Sequence, residues 1–123
     1  QVMEVAKSAD ISMVGIGTLM PSTEFSSFGY KTKKELNFLK ENGAVGEMHG
    51  EYFSAEGQPL EMEHHHRLIT IRLESLRNMK HVVGVAGGKE KIDAIAASLI
   101  GGFIHSLITD EITAQSLSSI SKS

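Results

Sequence analysis

The chain has 123 residues, with 12 Lys and Arg against 15 Asp and Glu, a formal net charge of -3 with histidine neutral. Its 41% hydrophobic and 22% charged residues suit one small domain or part of a larger one and exclude a disordered tail. The mild acidity argues against this segment gripping nucleic acid by itself, the absence of cysteine excludes disulfides and thiolate metal sites, and no apolar run is long enough to cross a bilayer as a helix.

The chain opens at Gln1 inside a helical pattern, with Val2, Val5, Ala6 and Ala9 on one face and no start signal before it. This suggests the end of a helix in a fragment of something longer. ISMVGIG (11–17) reads as a mostly apolar strand, and 18–31, rich in Pro, Ser, Thr and Gly, as a loop of functional length. Thr32 and Glu35 form a capping-box pattern for a helix through about Asn42, which Gly43 closes in a left-handed conformation. GAVGEMHGEYF (43–53) reads as one glycine-interrupted extended segment, and AEGQ (55–58) as a turn.

RLITIRL (67–73) alternates as a half-exposed strand does, and HVVGVAG (81–87) reads as a short buried strand. Residues 89–100 carry the clearest helical pattern, with Ile92, Ile95, Ala96, Leu99 and Ile100 on one face. Gly101 and Gly102 end it. FIHSLIT (103–109) reads as another strand, and DEITAQSLSS (110–119) as a terminal helix with acidic residues at its start, where the helix dipole favours them. Strands alternating with helices, several of them apolar on both faces, predict an α/β fold. It would be a three-layer arrangement with a mainly parallel sheet and helices on both faces.

The junction VVGVAGGKEKIDAI (82–95) runs from strand through two glycines into a helix. It matches neither the phosphate-loop pattern, since Glu90 stands where Ser or Thr is needed, nor the dinucleotide fingerprint, since the glycine spacing is wrong. What remains is a turn at a strand's carboxyl end with Lys91 in the first turn of the following helix, a place where helix-start amides and an ammonium group suit an anion. The competing reading is a tight strand-to-helix turn with a solvated lysine.

Taken together, GAVGE (43–47), GEYFSAEG (50–57), VAGGKEK (85–91), AIAASLIGGFI (94–104) and LITDEITAQSL (107–117), with VGIGTL (14–19), resemble the C-terminal part of the effector-binding domain of SorC-type sugar-binding transcriptional regulators. The resemblance implies a fold similar to phosphosugar isomerases of the glucosamine-6-phosphate deaminase type. It implies a non-catalytic, cytoplasmic module of a homo-oligomeric repressor that binds a phosphorylated sugar or related metabolite and so controls DNA binding. The helix-turn-helix domain and the first half of the effector domain, with its Gly/Ser/Thr-rich phosphate cradle, would lie outside residues 1–123.

In that family the acidic residue closing GAVG(D/E) contacts the effector, here Glu47. So does the lysine after the glycine pair, here Lys91. The loop after the VGIG strand closes over the ligand, which implicates Phe28 and Gly29. Some relatives carry an arginine there, where this chain has Ser26, Ser27 and Phe28. An ionised carboxylate suits sugar hydroxyls, and Gly46 and Gly50 would let a ligand approach the backbone. The bland alternative keeps Glu47 as a solvent-facing strand residue.

No cofactor and no metal is expected. Glu61, Glu63, His64, His65 and His66 are too close in sequence to assemble a tetrahedral site and read as a solvated loop. An enzyme of the same fold class, a phosphosugar isomerase or deaminase, is the rival reading. It would need a partner acid beside Glu47, and no motif supplies one.

Overall fold

The computed structural model describes residues 10–18, 33–61 and 71–121. Two three-stranded sheets meet in it. The first is parallel, with β5 (Val82–Val85) between β1 (Ser12–Gly15) and β6 (Ser106–Ile108). Gly15, Val85 and Ile108 stand side by side across it at the carboxyl ends of the three strands. The second is antiparallel, with β3 (Ala44–Met48) between β2 (Gly17–Thr18) and β4 (Glu51–Ser54). The chain passes from one sheet to the other at Ile16, which is buried between them.

Among the described residues the helices are α1 (Lys33–Glu41), α2 (Leu73–Arg77), α3 (Ile92–Ile100) and α4 (Glu111–Ser121), with a 3-10 turn at Lys89–Lys91 leading into α3. Helix α1 closes as the sequence predicts, with Gly43 in the left-handed region at φ 73°. The end of α3 also follows prediction, with Gly101 donating to Ala97 and Gly102 at φ 74°. The core joins both sheets through Val14, Ile16, Met48, Phe53, Val82, Ile95 and Phe103. The Phe53 and Phe103 rings meet at 5.5 Å between centroids.

The α/β class with a parallel sheet is as the sequence predicts; three local features are not. Residues 43–53 form a hairpin rather than one extended segment. Its turn is His49–Gly50, with φ 54° and 82°, a pair of left-handed residues that matches the natural twist of the strands. The described end of the predicted strand 67–73 is not strand: Arg72 has an extended backbone outside the strands of the described residues, and Leu73 starts α2. Helix α3 buries its small residues Ala94, Ala97 and Ser98 along with Ile95, while Leu99 and Ile100 stay exposed. The cause is close packing on β3, where a methyl at Gly46 would lie 2.7 Å from Ala94 Cβ and 2.6 Å from Phe53 Cζ.

The predicted helix at 1–9, most of the loop 18–31 with Phe28 and Gly29, residues 67–70 and the histidines at 64–66 lie outside the described residues. Among the described residues, no helix is long and apolar enough to cross a membrane.

Candidate functional site

Glu47 lies on β3, opposite Gly17 of β2 on one side and Tyr52 of β4 on the other. It is half-buried. The hairpin turn holds one of its carboxylate oxygens, since Gly50 N–H donates to Oε2 at 3.1 Å. The other oxygen, Oε1, leans over β2, only 2.8 Å from where a methyl on Gly17 would sit. A side chain at Gly17 would displace the carboxylate, so glycine there keeps Glu47 in place. The phenol of Tyr52 is pushed well above its ordinary value by burial, and further by the carboxylates of Glu47 and Glu35. It stays protonated beside Glu47.

Lys91 ends the 3-10 turn that follows β5. It is half-buried, and its ammonium makes no ion pair with any described residue. The 3-10 turn packs against β2, and β2 pairs with β3. The strand carrying Glu47 and the turn carrying Lys91 therefore flank the same two-residue strand, at the carboxyl end of the parallel sheet. That is where ligands sit in open α/β sheets. A carboxylate with one oxygen anchored, and an ammonium with no ion pair among the described residues, are an acceptor for hydroxyl groups and a charge for an anion on two elements that both neighbour β2. Phe28 and Gly29, the other two predicted contacts, lie outside the described residues.

The glycines play different parts from those predicted. The open side of Gly46 is filled by Phe53 and Ala94, so its missing side chain serves helix packing and leaves no approach for a ligand. Gly50 supplies a left-handed turn position. In the junction after β5, Gly88 sits at φ 118°, and its N–H donates to Thr113 Oγ1 at 3.0 Å. Gly87 lies against the start of α4, where a methyl on it would be 2.5 Å from Asp110 Oδ2. The turn is thus engaged with protein at both glycines. Lys91, at the end of that turn, is left without an ion pair among the described residues.

The partners of that turn escaped the sequence reading. Asp110 caps α4, accepting Thr113 N–H on Oδ1 at 2.7 Å. Hydrogen bonds from Thr113, first its amide and then its side chain, hold the Asp110 carboxyl below the usual carboxylate range. Asp-x-x-Thr at 110–113 was a visible helix-start signal; that the Thr113 hydroxyl also takes an amide 25 residues earlier was not. Beside them Thr109 Oγ1 is buried without a hydrogen-bond partner among the described residues.

Among the described residues, no three His, Asp or Glu side chains come together as a metal site would require.

Residues 1–118 match the family model described as "Putative sugar-binding domain". The transcriptional regulator LsrR of Klebsiella pneumoniae is 38% identical over 119 residues, 94% of this chain and 37% of that protein. The erythritol catabolism regulatory protein EryD of Brucella abortus is 38% identical over 116 residues, 94% of this chain and 36% of that protein. A DeoR family transcriptional regulator from Listeria monocytogenes superposes with a TM-score of 0.85 at 27% identity, over 94% of this chain and 47% of that one. The chain thus spans little more than a third of the length of the curated relatives it matches.

Proposed function

The chain belongs to the sugar-binding domain family, and from that premise we propose that it is the effector-sensing part of a bacterial transcription regulator. The resemblance to SorC-type sugar-binding regulators is borne out at the level of the family. The effector in this reading is a phosphorylated sugar or a related anionic metabolite. Glu47 takes its hydroxyl groups and Lys91 its anionic end, with Phe28 and Gly29 closing over it. The observation that carries the reading is that the strand of Glu47 and the turn of Lys91 both neighbour β2: one brings a half-buried carboxylate with one anchored oxygen, the other a half-buried lysine with no ion pair among the described residues.

Operator DNA is bound by a domain outside this chain, in a cytoplasmic homo-oligomer. The first half of the effector domain also lies outside residues 1–123. The share of the solved relatives that the chain covers, 45% and 47% for two of them, supports this. So does the parallel sheet. Parallel strands are normally covered on both faces, yet Met13 is 66% and Ile108 54% exposed. Gly15, in register with Val85 and Ile108, has open space where a side chain would project. Further polypeptide of the same domain fits over this apolar face.

An isomerase or deaminase would need an acid to work with Glu47 as base. Tyr52, its cross-strand neighbour, is made a weaker acid by burial and by Glu47 itself. That favours binding over turnover.

The test is a thermal-shift titration of the full-length protein with ribose 5-phosphate, glucose 6-phosphate and fructose 6-phosphate, beside the unphosphorylated sugars and inorganic phosphate. Ligands that bind the folded state raise the melting temperature. The expected result is a rise with at least one sugar phosphate that is lost in both Glu47→Ala and Lys91→Ala. A rise untouched by either substitution moves the site elsewhere, and conversion of a bound sugar phosphate to product, followed by NMR, would overturn the sensor reading.

A further inference from the structure

The start of α4 is joined to Lys91 by an unbroken set of hydrogen bonds. Asp110 Oδ1 accepts the Thr113 amide at 2.7 Å, Thr113 Oγ1 accepts the Gly88 amide at 3.0 Å, and Gly88 O accepts the Lys91 amide at 3.1 Å. The second oxygen of Asp110 closes on Gly87 so tightly that a methyl there would be 2.5 Å away. Thr113 is 2% exposed and its bond to the half-buried Gly88 amide is partly shielded from water, where a lost partner is costly. Gly88 at φ 118° holds a conformation that glycine alone adopts easily. Gly88 lies beyond the end of β5, and in that conformation its N–H is the one that Thr113 accepts.

We propose that Asp110 and Thr113 are positioning residues of the effector site: they fix the Gly87–Gly88 turn, and through it the place of Lys91 beside β2. This rests on the reading of Lys91 as a ligand contact. Neither residue touches the ligand. Their work is done before binding, because a lysine whose backbone is already fixed loses less freedom when it takes up an anion. The arrangement also ties ligand occupancy to α4. Whatever shifts the start of α4 shifts Lys91, and by linkage an anion on Lys91 favours the α4 position that holds it.

The experiment uses full-length wild type, Thr113→Val, Thr113→Ser, Lys91→Ala and the double variant Thr113→Val/Lys91→Ala. Valine keeps the shape of threonine and removes the acceptor; serine keeps the hydroxyl. In the ligand-free protein, amide hydrogen exchange at 88–92 should be about tenfold faster in Thr113→Val and near wild type in Thr113→Ser. Affinity for glucose 6-phosphate, ribose 5-phosphate and fructose 6-phosphate is then measured. For whichever of these binds wild type, it should fall about tenfold in Thr113→Val, and the double variant should be no weaker than Lys91→Ala alone.

Unchanged exchange in Thr113→Val overturns the inference whatever the sugar phosphates do. Faster exchange with losses that add in the double variant also overturns it, since Thr113 would then act without Lys91. Wild type binding none of the three compounds overturns the effector reading, and the inference with it. The exchange measurement separates that failure from failure of the turn itself.

Discussion

The carboxylate of Glu51, on β4, accepts the backbone N–H of Leu73 at 3.0 Å and so caps α2 from 22 residues away. The same carboxylate takes Arg72 Nε at 2.9 Å and a second guanidinium nitrogen at 3.3 Å. That bond is the main cause holding the Arg72 guanidinium above its ordinary value. Glu51 is 2% exposed, and these donors help to make its buried charge tolerable.

Removing Glu51 therefore strands two sets of donors at once. Glu51→Ala should cost about 2–4 kcal/mol, less than a fully buried ion pair would, because the Arg72 side chain is 36% exposed and can be hydrated. Glu51→Gln keeps an acceptor for Leu73 and should lose about half as much. Urea denaturation with far-UV circular dichroism reads both. A cost for Gln equal to that for Ala would mean that the charge, and not the cap, holds this junction.

Gly46 tests the packing of α3 on β3. Gly46→Ala forces a methyl against Phe53 and Ala94 at 2.6 and 2.7 Å, and overpacking of this kind should cost about 1–3 kcal/mol. Phe53→Leu removes the ring atoms in the way, so the double variant should lose less than the two single losses added together. Strict additivity in the denaturation midpoints would show that the helix simply moves off the sheet.

The same contacts mark where the sequence stops being legible. Helix α3, strands β5 and β6 and the left-handed glycine at 43 could be read off, because each is decided by local periodicity or by a residue's own backbone preference. The inward face of α3 could not. Periodicity points to Leu99 and Ile100, but a glycine on another element lets Ala94 and Ala97 come closest. The His49–Gly50 turn hides because His-Gly is not one of the Asn-Gly or Asp-Gly pairs that announce a two-residue hairpin turn. The start of α2 hides because its cap comes from β4, not from Arg72 or its neighbours. In the proposed site, the motifs around Glu47 and Lys91 suggest those two residues, while nothing local suggests Asp110 and Thr113 as partners of the glycine turn, since the bond between Thr113 and Gly88 joins positions distant in sequence.

Arg77 closes the far end of α3. Its Nε donates to Gly101 O at 2.7 Å, another of its nitrogens donates to Gly57 O at 2.9 Å, and the guanidinium lies 4.9 Å from the Phe103 ring centre. Gly57 and Gly101 themselves touch, leaving no room for a side chain on either. Arg77→Ala should cost about 2–3 kcal/mol, and Arg77→Lys should recover less than half of that, because an ammonium cannot span two carbonyls in the plane of a fork. Hydrogen exchange at 55–58 and 101–103 should rise in both variants. A full rescue by lysine would reduce the contact to simple charge.

Asp110 gives the chain an acid-sensitive joint. Its carboxyl is held below its ordinary value of 3.8, chiefly by the amide and then the side chain of Thr113. A depressed folded value means that the contribution to stability is complete above 3.8 and is lost as pH falls through the folded value. Asp110→Asn keeps an acceptor for the Thr113 amide but cannot titrate. Wild type should therefore be the more stable of the two at neutral pH, and the gap in Tm should close as pH falls from about 5 toward 2. The turn it holds should loosen over the same range, with faster exchange at Gly88 and Lys91 in wild type but not in the variant, each corrected for intrinsic exchange. A Tm gap that stays constant down to the acid end would mean that the carboxylate's charge plays no part in the cap, and that Asn and Asp differ there only in shape.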